Sequence, residues 1–368
     1  MTLRQALVTT HLVVGCIAAP VLLVLGLTGA ALVFEDEIVA AANRHLLTVE
    51  AAGTPLTVAA LEMRIDSTYP GFHLTGVGFG QTPSASWSVS AAAAAGDSSL
   101  DLMVNPYSGT ILGTGDQIHD VMRWVHLLHT RLLAGREGQT VVAIGALLLL
   151  FLTASGLILW WRSMVITVSW RGSKRRVMFD LHNTIGAVAW LFLGAFAFTG
   201  AVVHWDGETV GWLGRMADTA PMPAPPRSAP PCTTGAALPL AQLVSIAEAQ
   251  VPGARITTIA EQNGSVGPVR AIFKFPEDHT PAGRTHVYLA PCSGEVLLVR
   301  NAHTAPFSFR YPAMWNRMIH TGDIFGWPTR ILAALMSLSL PMLGITGPLI
   351  WWFRRQSRKQ GDLTPERV

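Results

Sequence analysis

Charge is scarce in this 368-residue chain: 13% of residues are Asp, Glu, Lys or Arg, against 50% hydrophobic. That balance argues against an ordinary soluble enzyme and suits an integral membrane protein. The net charge of +3 gives no case for a nucleic-acid partner. No dinucleotide fingerprint, flavin motif or phosphate loop is present. Gly78-Phe79-Gly80 and Gly113-Thr114-Gly115 lack the third glycine and the strand-to-helix context, so any reductant is a separate molecule. The three cysteines form no thiolate motif for an iron–sulfur cluster. Cys16 falls in an apolar run, whereas Cys232 and Cys292 share one polar segment and are a disulfide pair if that segment lies in an oxidising compartment.

What is abundant is long apolar sequence. Four runs, Leu12 to Phe34, Val141 to Trp161, Ile185 to Val203 and Ile331 to Trp352, are each long enough to cross a hydrocarbon core of ~30 Å. The first is too long for a signal-peptide core and reads as a retained helix. Arg162, Arg171, Lys174, Arg175 and Arg176 lie between the second and third runs, and Arg354, Arg355, Arg358 and Lys359 follow the fourth. The positive-inside rule makes both stretches cytoplasmic. Both termini are then expected inside, with Glu35 to about Asp120 and Trp205 to about Pro312 outside.

The outer segments read as two small α+β domains. "TPLTVAALEMRIDSTYP" has helical periodicity, "SWSVSAA" and "SLDLMVNPYSGTIL" alternate as strands, and "LPLAQLVSIAEAQVPG", "VRAIFKF" and "THVYLAPCSGEVLLV" repeat the order. Pro106 and Gly109 in the first turn match Pro291 and Gly294 in the second. "DTAPMPAPPRSAPP" is an extended linker. The chain is therefore a tandem repeat of helix, outer domain, helix. The expected division is 1–36 (helix 1), 37–120 (outer domain 1), 121–164 (helix 2), 165–180 (cytoplasmic loop), 181–205 (helix 3), 206–312 (outer domain 2 with linker), 313–354 (helix 4) and 355–368 (tail).

The repeat sorts the histidines. His11 is followed by Gly15 and, 17 and 18 residues on, by Thr28-Gly29; His182 is followed in the same register by Gly186 and Thr199-Gly200. His129 and His320 each precede glycines at plus 6 and plus 27 and Trp-Trp at plus 31 and 32. His126 aligns with Arg317 and His204 with Val33, so neither has a repeat partner. Because alternate helices run in opposite directions, His11 and His182 belong to the cytoplasmic side and His129 and His320 to the outer side. Two imidazole pairs, one per face, are what two bis-histidine haems stacked across a bilayer require. Gly15 and Gly186 leave a bare helix surface beside the inner pair, and Gly29 and Gly200 return to that face five turns later, where the outer haem is expected. Taken singly, an intramembrane His more often serves packing or a proton path, and glycines commonly serve helix contact. The joint register is what favours haem. His126 and His204 are the substitutes on the outer side; His45, His73, His119, His279, His286 and His303 read as exposed.

"LHNTIG", "HTGDIFG", "ASGLILWW" and "ITGPLIWW", with the "NPYSG" and "PCSGE" turns, resemble the PepSY-associated transmembrane family of iron-regulated membrane proteins. The resemblance covers nearly the whole chain. It implies a bacterial inner-membrane protein, mainly α, with two periplasmic PepSY-like domains. It also implies two haem b groups on His11, His129, His182 and His320, and outward electron transfer that reduces a ferric siderophore. The sequence departs from the family at "TTHLVVG", where a Leu-His-Arg run is commoner. The expected donor is a cytoplasmic reductant or quinol, and reduction to Fe(II) loosens a hard-oxygen chelator's hold on the metal. An acceptor is expected against Trp124, Arg123, Arg131 or "SFRYPAMW". A cupric acceptor, or a non-enzymatic PepSY module that binds peptides or modulates a periplasmic protease, are the competing readings.

Overall fold

The computed structural model describes residues 2–93, 98–162, 164–220, 222–232, 237–262 and 267–361. In chain order the helices are α1 (Leu3–Leu32), α2 (Glu35–Ala42), α3 (Arg44–Leu47), α4 (Val58–Thr68), α5 (Val121–Arg131), α6 (Gly135–Trp161), α7 (Lys174–His204), α8 (Asp206–Met216), α9 (Leu240–Ala249), α10 (Phe307–Arg310), α11 (Arg317–Thr321) and α12 (Trp327–Gly361). The strands are β1 (Phe72–Gly78), β2 (Trp87–Ala93), β3 (Ser99–Val104), β4 (Ile111–Thr114), β5 (Arg255–Glu261), β6 (Val269–Lys274), β7 (Thr285–Leu289) and β8 (Val296–Arg300). Half of the expected tail 355–368, residues 362–368, lies outside the described residues.

The chain divides into two compact units. The first comprises Met1–Glu35, Val121–Asp206 and Asn316–Val368. Its four long helices, α1, α6, α7 and α12, each contain a stretch long and apolar enough to cross a membrane. They close into a ring in which α1 packs on α6 and α12, and α7 packs on the same two. Little of each helix is buried, and Ile17, Ile144, Leu191 and Leu338 point outward, the pattern of helices whose outer faces meet lipid. Ala18, Leu22, Leu149, Ala189, Leu193, Ala197 and Leu340 fill the centre. Small residues bring the backbones close. A Cβ on Gly26 would lie 2.6 Å from Pro341 Cδ and 2.7 Å from the Ser337 carbonyl oxygen, so α1 crosses α12 where only glycine fits.

Helix starts follow local chemistry. Thr2 and Gln5 form a capping box on α1, and the Ser173 hydroxyl accepts from Arg176 N at α7. In the second turn of α7, Asp180 is 4% exposed, pairs with Arg176 at 2.9 Å and accepts from Ser169 N. That ties the basic connection to the helix start just before His182.

The second unit comprises Asp36–Asp120 and Gly207–Trp315. It corrects the expectation of two separate outer domains. The eight strands form one antiparallel sheet in the order β4-β3-β2-β1-β5-β6-β7-β8. The two repeats meet along β1 and β5, where Val77 faces Ile259 and Gly76 faces Ala260. Joining there leaves neither inner edge unpaired, which removes an aggregation-prone edge from each half. A single core draws on both repeats: Leu61, Ile65, Val77, Val89, Leu102 and Val104 from one, Leu243, Ile259, Phe273 and Leu289 from the other. Burial of each such side chain stabilises by ~1.5–3 kcal/mol. The Thr57 hydroxyl caps α4, accepting from Ala60 N at 3.2 Å. Cys232 and Cys292 are joined, their Cα atoms 5.6 Å apart. Cys16 is a free thiol.

Candidate cofactor site

The four histidines set apart by the repeat come together as two pairs. The ring centroids of His11 and His182 are 6.4 Å apart with planes at 88°. Those of His129 and His320 are also 6.4 Å apart, with planes at 56°. Seventeen residues separate His11 from Thr28, which touches the other pair, so the two pairs are ~25 Å apart along the helix direction. That is most of the thickness of a hydrocarbon core.

Each ring is fixed by a hydroxyl on a neighbouring helix. His11 Nδ1 lies 2.8 Å from Ser155 Oγ. His129 Nδ1 lies 2.9 Å from Thr28 Oγ1, His182 Nδ1 2.9 Å from Thr346 Oγ1, and His320 Nδ1 2.9 Å from Thr199 Oγ1. Each hydroxyl in turn donates its one hydrogen to the carbonyl four residues earlier: Thr28 to Val24 at 2.7 Å, Ser155 to Phe151 at 2.7 Å, Thr199 to Ala195 at 2.7 Å and Thr346 to Met342 at 2.8 Å. A carbonyl carries no hydrogen, so the proton in each contact must come from the hydroxyl. The hydroxyl oxygen then accepts from the imidazole, and Nδ1 carries the ring proton. Nε2 is left as a lone pair at all four positions, the state in which a histidine ligates a metal.

The residue after each hydroxyl is glycine, and it gives the ring room. A Cβ on Gly29 would stand 3.1 Å from His129 Cε1, on Gly200 3.3 Å from His320 Cε1, on Gly156 3.4 Å from His11 Cε1 and on Gly347 3.4 Å from His182 Cε1. Gly29 and Gly200 thus lie against the edges of the outer imidazoles themselves. Gly15 and Gly186 face Leu152 and Leu343 at 3.7 and 3.8 Å from a Cβ position, which is ordinary helix contact.

Helix geometry also differs from expectation at the outer pair. His129 and His320 do not start the long helices; they sit in α5 and α11, before breaks in the backbone. Leu132, Leu133 and Gly135 have positive φ in one case, Gly322 and Gly326 in the other. The break lets a short segment turn its histidine toward its neighbour independently of the long helix. Asn316, fully buried, donates to the Thr199 carbonyl oxygen at 3.0 Å, and so braces α11 against α7 near its histidine.

His126 and His204 stay outside the pairs. His126 is half exposed and lies 3.6 Å from Glu35, and His204 makes an edge contact with Trp205. His45, His73, His119, His279 and His303 are exposed as expected, and His303 is bonded to Glu277. His286 is the exception, being half buried in β7. Trp124 is exposed on α5. One turn before His182, a cavity of about 390 Å³ is lined by Trp170, Lys174, Met178, Leu349 and Phe353 among others.

Sequence reasoning missed the partners of the rings, Ser155 and Thr346 above all. The signal was a Ser/Thr-Gly dipeptide once in each long helix: Thr28-Gly29, Ser155-Gly156, Thr199-Gly200 and Thr346-Gly347.

Four apolar helices around two half-buried imidazole pairs define a multi-pass membrane protein. The family described as the PepSY-associated TM region matches residues 8–354, and the chain belongs to it. Comparison with curated proteins returns no match.

Proposed function

We propose that this protein is a dihaem electron carrier of the bacterial inner membrane, which takes electrons from a cytoplasmic reductant or the quinol pool and reduces a ferric siderophore outside. The observation that carries the reading is the pairing of imidazoles at 6.4 Å. At that spacing the two rings of each pair would leave room for a single metal ion held between them. Among the described residues no group of three or more His, Cys, Asp or Glu converges as a metal site. Two nitrogen donors alone suit a metal whose remaining ligands belong to a macrocycle. His11 and His182 would hold one haem b, His129 and His320 the other. Haem, when bound, supplies reversible one-electron chemistry at its iron, tuned by axial ligands and their hydrogen bonds.

The chain's own contribution is to fix ligand tautomers through Ser155, Thr28, Thr346 and Thr199. Arg317, three residues before His320 on α11, has a buried Nε with no acceptor among the described residues; a carboxylate of the cofactor is a fitting partner there. The Cys232–Cys292 bridge supports placing the sheet unit in the oxidising periplasm. The basic stretch between α6 and α7 supports a cytoplasmic position for that end. On this reading the cavity at the start of α7, lined by Trp170, Lys174 and Met178, is where a donor approaches.

The absorption spectrum of purified protein tests the proposal. Two haems per chain with sharp bands on reduction are expected; a colourless preparation made with ample haem supply refutes it. Stopped-flow mixing of the reduced protein with ferric siderophores tests the acceptor, and absence of reoxidation by any of them removes that assignment.

A further inference from the structure

The outer strands of the second repeat carry a cluster of cations that the electron-transfer reading leaves unused. One face of β6–β8 supplies Val269, Ala271, Phe273, Val287 and Leu289 to the core. The alternating positions place Arg270, His286, Tyr288 and Arg300 together on the other face. Arg270 stands directly opposite Tyr288, and His286 directly opposite Arg300. The His286 and Tyr288 rings are 6.2 Å apart, with Nδ1 3.4 Å from the phenol oxygen. The segment after β8 folds back over this face: Ala302 N donates to Thr285 Oγ1 at 3.0 Å, and Arg300 lies 5.1 Å from the Phe309 ring centre in α10.

Among the described residues, Arg270, Arg300 and Arg310 have no carboxylate at ion-pair distance. The Nε atoms of Arg300 and Arg310 are buried with no hydrogen-bond partner. Burial pushes His286 down to about 4, and the charges that add to the shift are all positive: Arg270, Arg300 and Arg284. Like charges on neighbouring strands repel, and a buried donor without an acceptor costs ~1–3 kcal/mol. A bound oxyanion removes both penalties, because guanidinium groups take carboxylates in short charge-assisted bonds.

We propose that this face of β6–β8 is a binding site for a multivalent oxyanion of polycarboxylate type, with Arg270 and Arg300 as the charged arms and Tyr288 as a hydroxyl donor. The inference rests on the reductase reading and narrows it, since the acceptor selected is an anionic, carboxylate-bearing ferric chelate rather than a cationic one. Its test is a binding measurement that needs no electron flow, so either idea can fail without the other.

Citrate, ferric citrate and inorganic phosphate are titrated by calorimetry into the full-length protein in detergent, with the cationic ferrioxamine B as a contrast. Saturable citrate and ferric citrate binding, weakened as salt rises from ~0.05 to ~0.5 M, is expected. In the Arg270→Gln/Arg300→Gln variant the citrate affinity falls by about tenfold or more, while Arg300→Lys alone retains part of it. Haem absorbance per chain stays at the wild-type level in both. Single Arg270→Gln, at a half-buried position, serves if the double variant does not fold. Equal citrate affinity in the variants, binding insensitive to salt, tighter binding of ferrioxamine B, or binding of phosphate without citrate each overturns the proposal.

Discussion

Thr28 Oγ1 and His129 Nδ1 are 2.9 Å apart although they come from opposite ends of the first repeat. The reciprocal contact, His11 to Ser155, joins the same two arms of that repeat at the other end. The second repeat does the same through His182 with Thr346 and His320 with Thr199. Each repeat therefore orients its own two rings, and the rings then pair across repeats, His11 with His182 and His129 with His320. Half a protein presents two aimed imidazoles but completes no pair. Duplication is what makes each pair two-sided.

Removing one hydroxyl tests the anchoring. Thr28→Val keeps the shape of the side chain and leaves His129 Nδ1–H without its acceptor. Partners of this kind change metal affinity by ~10–100-fold, so haem content is expected to fall from two toward one per chain, with the loss in the outer population. Thr28→Ser restores the acceptor and the content. A pyridine haemochrome assay on the three proteins decides it; full occupancy in Thr28→Val would reduce the contact to packing.

Glycine substitutions separate ring clearance from helix contact. A Cβ at Gly200 would be 3.3 Å from His320 Cε1, whereas one at Gly186 would meet Leu343 at 3.8 Å. Gly200→Val is expected to displace the ring and lower outer-haem occupancy, while Gly186→Ala loads normally. Low-spin haem content measured on both proteins gives the comparison, and normal loading of Gly200→Val contradicts the ring-clearance role.

The paired histidines were legible because the repeat marks them. Four residues of one type in matched register are a stronger signal than any one of them. The hydroxyls were harder to read, since a serine or threonine in an apolar helix ordinarily bonds its own carbonyl, and these do so as well as meeting a ring. The breaks that free α5 and α11 were hidden where Leu132 and Leu133 take left-handed backbone angles, which leucine seldom does. The α4, α9, β2 and β6 patterns read correctly. β1, "FHLTGVG", is interrupted by glycine, and β5, "RITTIAE", by threonines, so neither alternates clearly. Their pairing joins distant parts of the chain, and no local pattern reports it. The single eight-stranded sheet was therefore read as two domains.

The disulfide has a calculable role. Cys232 and Cys292 are 60 residues apart, and closing a loop of that length removes unfolded-state entropy equivalent to ~4 kcal/mol. Cys232→Ser/Cys292→Ser, or reduction of the wild type, is expected to lower the thermal midpoint of the sheet unit with two haems per chain retained. Calorimetry with and without reductant, read alongside the haem spectrum, reports both. An unchanged midpoint would place the bridge's benefit elsewhere, in folding or protease resistance.

His286 makes stability depend on pH in a definite direction. Its folded value, lowered to about 4 by burial and by Arg270, Arg300 and Arg284, lies below the ordinary 6.5. Above pH 6.5 the ring is neutral folded or unfolded and contributes no pH dependence. As pH falls from 6.5 toward 4 the unfolded chain takes up a proton that the folded chain refuses, so stability declines, and below 4 the loss levels off at ~3 kcal/mol. The thermal midpoint of the wild type is thus expected to fall across that window more than that of His286→Gln, which keeps a neutral polar side chain at every pH. The difference between the two curves isolates this ring from every other histidine in the chain. Parallel curves would mean that His286 titrates normally, and that the arginines around it act at a greater distance than their strand register implies.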